Sequence, residues 1–273
     1  MGEFKMFSNI KSSFVFFSAF MLIISGCSME NSGSQSDSSA NQGADSDAIY
    51  QAALADPRRP AEEVARDGGR KPDTVLKFFG IKPGQRVADI SSGDGYYTRI
   101  LSGVVGSEGS IVAENSGRRS SDENQAKYTE QYSTYENVEL NFEAPEDMSL
   151  PDNSLDAAML SLTIHHWHHS DETGEFVPQI ALDRYENILR MLKSGGVLGI
   201  IEHASDAGMS RVVSDSIHRI PSDIAKADLT LAGFVLDSES YVHANYPDDD
   251  TTIRWTQDPR DATNRIVHLY RKP

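Results

Sequence analysis

Four of the chain's eight histidines stand within five residues, His165, His166, His168 and His169, set around Trp167. An imidazole titrates near neutrality, so a histidine here could take the proton of an oxygen, nitrogen or sulfur nucleophile. Trp167 could lie against a cation or an aromatic ring. The same residues could instead ligate a metal, with nitrogens from His165 and His168 or from His166 and His169, and oxygens from Asp171 and Glu172. A polar loop with one aromatic anchor is the third reading. His203 follows a separate apolar run, Val197 to Ile201. A second constellation lies upstream: Asp89, then Ser91-Ser92-Gly93-Asp94-Gly95, where two residues without Cβ let backbone approach a ligand closely.

The elements that must position these residues alternate between helix and strand. Ala48 to Ala55 and Ala61 to Asp67 read as short helices, the second ended by Gly68-Gly69. A helix starts at Pro72 and stops at Gly80. Arg86 to Ile90 is a buried strand, Ser91 to Gly95 a glycine-rich loop, and Tyr96 to Val105 a helix, which together make the first half of a nucleotide-binding βαβ unit. Ser110 to Glu114 is the second strand, followed by a helix over Glu123 to Tyr132 and a third strand over Val138 to Phe142. Leu155 to Ile164 is a nearly continuous apolar run, as in a strand covered on both faces. Helix Ile180 to Leu192, strand Val197 to Ile201 and helix Pro221 to Ala232 follow. Val235 to Tyr241 and Asn264 to Tyr270 can close the sheet as an antiparallel hairpin. The expectation is a three-layer, Rossmann-like α/β fold with a mostly parallel seven-stranded sheet. Residues 48–80 form a helical cap on a domain spanning 48–273.

In such sheets ligands sit beyond the carboxyl ends of the strands. This rule puts Asp89, Gly93, Gly95, Glu114, His166 and His203 on one edge. Glu114, ending the second strand, could accept both hydroxyls of a ribose. The third glycine of a dinucleotide fingerprint is absent, its place taken by Thr98. A net charge of −16 over 273 residues argues against binding nucleic acid, which needs clustered Lys and Arg. One cysteine rules out an intramolecular disulfide and any multi-cysteine metal site.

Val87 to Thr98 resembles motif I of class I methyltransferases that use S-adenosylmethionine (SAM). Leu150-Pro151-Asp152-Asn153-Ser154-Leu155-Asp156 is similar to their entry into strand four, and Leu192-Lys193-Ser194-Gly195-Gly196-Val197-Leu198 to their turn into strand five. The likeness covers roughly Lys71 to Pro273. Arg70-Lys71-Pro72, Glu202-His203-Ala204, His218-Arg219-Ile220 and Asp249-Asp250 resemble a bacterial subgroup of predicted methyltransferases. The resemblance implies SAM as cofactor. Asp89 would order the loop or reach the ammonium of the SAM tail through water, and Gly93, Gly95 and Glu114 would hold the rest. Many relatives place Asp beside Ala before strand four to meet the adenine; here Ala144-Pro145 stand there, and Glu146 or Asp147 would substitute, with Asp147 the assigned residue. His166 and His203 would act on a small-molecule methyl acceptor, with no metal assigned. Arg58, Arg59, Arg66 and Arg70 could cap the pocket over an acidic acceptor, and Asp248-Asp249-Asp250 is a solvent loop, a weak cation site or a pocket closure.

Residues 1–26 have the form of a secretory leader: Lys5 and Lys11, an apolar stretch from Phe14 to Ile24, and small residues at the cut. Ile24-Ser25-Gly26-Cys27 resembles the bacterial lipobox, which implies that Cys27 is acylated and anchors the chain to a lipid bilayer. Ser28 in place of Asp points to the outer membrane by the enterobacterial rule. Residues 27–47, rich in Ser and without aromatics, read as a flexible tether. The expected function is SAM-dependent methylation of a small molecule by an envelope lipoprotein. The alternative is a lipoprotein that keeps the fold but binds a ligand or partner without catalysis.

Overall fold

In the computed structural model of the protein, residues 47–168, 177–244, 248, 250–252 and 263–273 are described. They fall within one compact unit, Gln42–Pro273. Residues 1–26, Cys27, His169, Asp171, Glu172 and Asp249 lie outside the described residues.

Three strands whose side chains are buried on both faces make the centre of the sheet. β1 (Arg86–Ile90) pairs in parallel with β2 (Ser110–Glu114) on one side and with β4 (Leu155–Ser161) on the other. β3 (Val138–Asn141) extends the sheet beside β2, and β5 (Leu192–Ser205) lies parallel to β4. β7 (Val235–Glu239) and β8 (Arg265–Arg271) close it as the antiparallel pair, giving the order β3-β2-β1-β4-β5-β8-β7. An eighth strand, β6 (Ile220–Pro221), pairs only with the end of β5.

Alternation along the strands sends side chains into two cores. Ala158 and Leu160 of β4 pack with Tyr185 and Ile188 of helix α7 (Gln179–Met191) and Leu229 of α9 (Ser222–Leu231). Their neighbours Ala157 and Met159 pack on the other face with Leu76 of α4 (Pro72–Phe78), Ala53 of α1 (47–54) and Ile100 of α5 (Tyr96–Val105). Gly199 of β5 faces Phe79 on that side, where a Cβ would meet Phe79 Cδ2 at 2.4 Å. The absence of a side chain there lets the ring lie directly on the strand.

The three-layer reading of the sequence holds, with local differences. The helix expected over Ala61 to Asp67 is two short ones, α2 (Ala61–Val64) and α3 (Asp67–Arg70), with Gly68 and Gly69 inside the second. Helix α6 is Asp122–Gln131, with Ser121 capping it by accepting from Asn124 N. β4 ends at Ser161 rather than Ile164, because Leu162 takes a left-handed φ of 57° and a 3-10 turn (Ile164–His166) follows. β5 runs on past Ile201 to Ser205, because β8 pairs with it as far as His203. Helix α8 (Arg211–Ser216) and β6 carry no clear periodicity in the sequence. No described helix is long and apolar enough to cross a membrane.

Candidate functional site

The loop after β1 is built from left-handed residues. Ser91, Gly93 and Gly95 have φ of 55°, 62° and 88°, and Gly95 caps α5. That path turns the chain sharply from strand to helix, which only glycine adopts without strain. A Cβ on Gly95 would fall 1.8 Å from the hydroxyl oxygen of buried Tyr132. The end of β2 straps the loop down. Glu114 accepts from Ser91 N at 2.8 Å and Ser116 N at 2.6 Å. Asn115 accepts from Gly93 N at 3.0 Å and donates to Ser92 Oγ at 2.8 Å. Asn115 escaped the sequence reading, although its place beside Glu114 at a strand end was the signal available.

Behind the loop Asp89 accepts from Thr98 Oγ1 at 2.7 Å. Burial pushes its carboxyl up to about 7, Glu114 adds repulsion, and the Thr98 bonds oppose the rise. Glu114 is raised as well, mainly by burial, against the pull of its Ser116 and Ser91 bonds.

A cavity of about 1240 Å³ opens at the carboxyl ends of β1, β2 and β4. Its wall includes Asp89, Ser91 to Asp94 and Asn115 at one end, and Leu162, Thr163, His166 and Trp167 at the other. The left-handed Leu162 sets that second end by swinging the 3-10 turn so that His166 and Trp167 meet the cavity. Arg184 lies 5.2 Å over the Trp167 ring and pairs with Glu146 at 2.8 Å. The cap closes the third side. Arg99 binds Glu63 of α2 at 2.5 Å and Asp94 O at 2.9 Å, while Tyr96 donates to Asp67 of α3 at 2.7 Å. Arg70 lies 4.4 Å over the Tyr96 ring. Seven Lys or Arg side chains line the cavity against four carboxyls, an excess of positive charge inside an acidic chain.

Asp89, Gly93 and His166 are brought to this wall, and Gly95 shapes the loop from behind. Four expectations change. His203 does not reach the cavity: it is 1% exposed inside the extended β5, with Nδ1 2.8 Å from Thr263 Oγ1. Glu114 stands at its expected place but is fully buried, its oxygens engaged by backbone amides instead of facing the cavity. Asp147 is exposed and off the wall, and Glu146 is tied to Arg184. Of the cap arginines, Arg66 and Arg70 line the cavity, whereas Arg58 pairs with Asp56 and Arg59 with Asp67.

His165 and His168 are buried among polar partners rather than set in an open polar loop. His168 is buried, with Nε2 2.8 Å from the Tyr185 hydroxyl and Nδ1 3.0 Å from Asp228, which Arg211 also grips. Burial lowers its basicity more than Asp228 restores it. His165 is 1% exposed, its Nδ1 2.8 Å from Glu202 Oε1. Asp248 and Asp250, read from the sequence as solvent loop, weak cation site or pocket closure, hold the buried guanidinium of Arg219, at 2.9 and 3.6 Å.

Residues 88–200 match the family model described as a methyltransferase domain. The chain is also similar to the ubiquinone/menaquinone biosynthesis C-methyltransferase of Pseudomonas aeruginosa, at 26% identity over 169 residues, 61% of this chain and 59% of that protein. The curated relatives it matches are spanned over only 45% to 59% of their length. Among solved structures, a SAM-dependent methyltransferase from Aquifex aeolicus shares the fold with a TM-score of 0.54 and 21% identity, covering 82% of this chain and 97% of that one. The geranyl diphosphate C-methyltransferase of Streptomyces coelicolor A3(2) does so with a TM-score of 0.56 and 14% identity, covering 81% and 88%. SAM is the group on which the Aquifex aeolicus methyltransferase depends. The site fits it: a turn that carries no Cβ at Gly93, and a buried carboxyl, Asp89, on the wall where a cationic tail would meet it.

Proposed function

We propose that the chain is a membrane-anchored, SAM-dependent methyltransferase that acts on a small, anionic molecule. The observation that carries this reading is the single cavity with the Asp89 and Gly93 loop at one end and His166 with Trp167 at the other. SAM supplies an electrophilic methyl on a sulfonium, which an acceptor atom displaces in line. The protein's part is alignment and removal of the acceptor's proton. The Ser91 to Gly95 loop gives close backbone approach, and Asp89 pairs with the ammonium. Glu114 is assigned to the ribose hydroxyls, for which each oxygen keeps an acceptor site beyond the amide it holds; its burial requires a small movement of the Ser91 or Ser116 loop. His166 is assigned to the acceptor's proton. Arg66 and Arg70, on the cap side, favour an acceptor with negative charge.

The Asp89 assignment has a pH signature. Its native pKa of about 7 lies well above the ordinary aspartate value, so the free protein holds this proton more tightly than the unfolded chain. Stability of the unliganded protein therefore falls as pH rises from about 4 through 7. SAM binding runs the other way, because the ion pair needs the carboxylate. Between pH 6 and 7 affinity should climb about fivefold, following ionisation of Asp89, while most of the ammonium stays charged. Calorimetry on wild type and Asp89→Asn at several pH values tests this. A wild-type affinity as flat as the variant's contradicts the pairing.

The anchor follows from Cys27. We assign it to acylation after removal of residues 1–26, with the domain on the periplasmic side of the outer membrane, held by the 27–47 tether. Cys27→Ser should abolish palmitate labelling and shift the chain from membrane to soluble fractions or leave it unprocessed. Unchanged labelling and fractionation count against the anchor.

A further inference from the structure

We infer that His165, His166 and His218 form a binding site for a divalent transition metal of the zinc class, at the acceptor end of the cavity. The three side chains come from different parts of the chain, yet one nitrogen of each lies within 4.8 Å of the others. Their ring centroids are 4.0 Å apart for His165 and His166, 5.4 Å for His165 and His218, and 5.2 Å for His166 and His218. A tetrahedral zinc with bonds of about 2.0–2.1 Å needs a closer cluster, within reach of small imidazole rotations.

Two further observations point to a ligand. His165 is 1% exposed, and its Nε2 makes no hydrogen bond to a described residue. A buried imidazole nitrogen without a partner is costly, and a metal would satisfy it. Its other nitrogen, Nδ1, lies 2.8 Å from Glu202 Oε1, and Glu202 also accepts from the backbone amides of His165 and His203. A carboxylate holding the far nitrogen of a histidine is the arrangement that fixes tautomer and ring direction in metal sites. His218, for its part, is held in a left-handed conformation with φ of 55°, unusual for a residue with a side chain. Next to it Arg219 is locked by Asp248 and by Ala204 O, so the strained backbone is pinned.

Three neutral imidazoles suit zinc, copper, iron or nickel better than calcium or magnesium. Three protein ligands leave a position open, as in catalytic rather than structural zinc sites. His166 is the ligand on the cavity wall, so the open position faces the acceptor's space. The metal site stands independently of the methyl-transfer reading. Where both hold, a metal on His166 would ionise a thiol or hydroxyl acceptor in place of an imidazole base, the proton leaving to water.

The test uses full-length protein without an affinity tag, stripped with a chelator and titrated with Zn²⁺, and with Co²⁺ for its visible absorption. One equivalent should bind, with cobalt giving the intense bands of low coordination. Glu202→Gln should weaken binding by about 10- to 100-fold, and His165→Ala or His218→Ala by more. His166→Ala, at an exposed position, should weaken it in a protein whose circular dichroism is unchanged. Binding well below one equivalent, or full binding by a folded His166→Ala or His218→Ala variant, overturns the site. SAM heat measured on the same stripped samples separates the two readings, since metal binding without SAM binding keeps the site and removes the methyltransferase activity.

Discussion

Gly95→Val is expected to abolish measurable SAM binding, or weaken it by about 10- to 100-fold, in a chain that still folds. Two effects add at this position. The φ of 88° is a conformation a β-branched residue rarely adopts, at about 1–3 kcal/mol. The new Cβ would also sit 1.8 Å from the Tyr132 hydroxyl and 2.8 Å from Tyr132 Cζ. Tyr132 packs against Tyr128 and Tyr135 in a small core of its own, so its ring cannot swing clear cheaply. The loop must give way instead, and it forms the cavity wall. Each 1.4 kcal/mol lost from the binding shape is about tenfold in affinity. Gly93→Ala is the contrast: its φ is 62°, but a Cβ would meet nothing nearer than Arg119 at 3.8 Å. It should cost less. Equal losses from the two variants, measured by calorimetry with circular dichroism as the folding control, would mean that the Tyr132 contact is irrelevant.

The second large effect is on stability. Asp248→Leu should destabilise the domain by about 3–5 kcal/mol, because it leaves the Arg219 charge in the interior without its main counter-ion. Both side chains are 0% exposed, and Asp248 receives two guanidinium bonds of 2.9 Å along with Asn264 N. Asp250, 3.6 Å from the same guanidinium, compensates only in part. Replacing both members, Asp248→Leu with Arg219→Met, should recover much of the loss, since no orphan charge remains. Urea unfolding of the single and double variants decides it. A single variant within about 0.5 kcal/mol of wild type would place the pair in the ordinary surface class.

The contrast between these two sites shows what the sequence made legible. The loop at Ser91 to Gly95 was readable because strand, glycine turn and helix follow one another within about twenty residues, each with its own local signal. The sheet followed from repeating that unit, and β4 from its unbroken apolar run. Arg219 and Asp248 are 29 residues apart, and an arginine or an aspartate is by default a solvated side chain. Nothing local marks them as a buried pair. The same holds for His218, 53 positions from His165, which joins the histidine cluster only through the chain path after β5. His203 failed for a different reason. Its strand was expected to end at Ile201, but β8 pairs along it to His203 and keeps that residue inside the sheet. Asp147 was placed by analogy with a neighbouring motif that this chain lacks, and the structure leaves it exposed.

The central claim is that the cavity binds SAM, and a calorimetric titration of purified full-length protein with SAM tests it directly. The expected result is a saturable heat with one site per chain at micromolar to millimolar SAM, competed by S-adenosylhomocysteine and lost in Gly95→Val. No heat from folded wild-type protein at millimolar SAM would contradict the claim and leave a protein that uses this fold to bind something else.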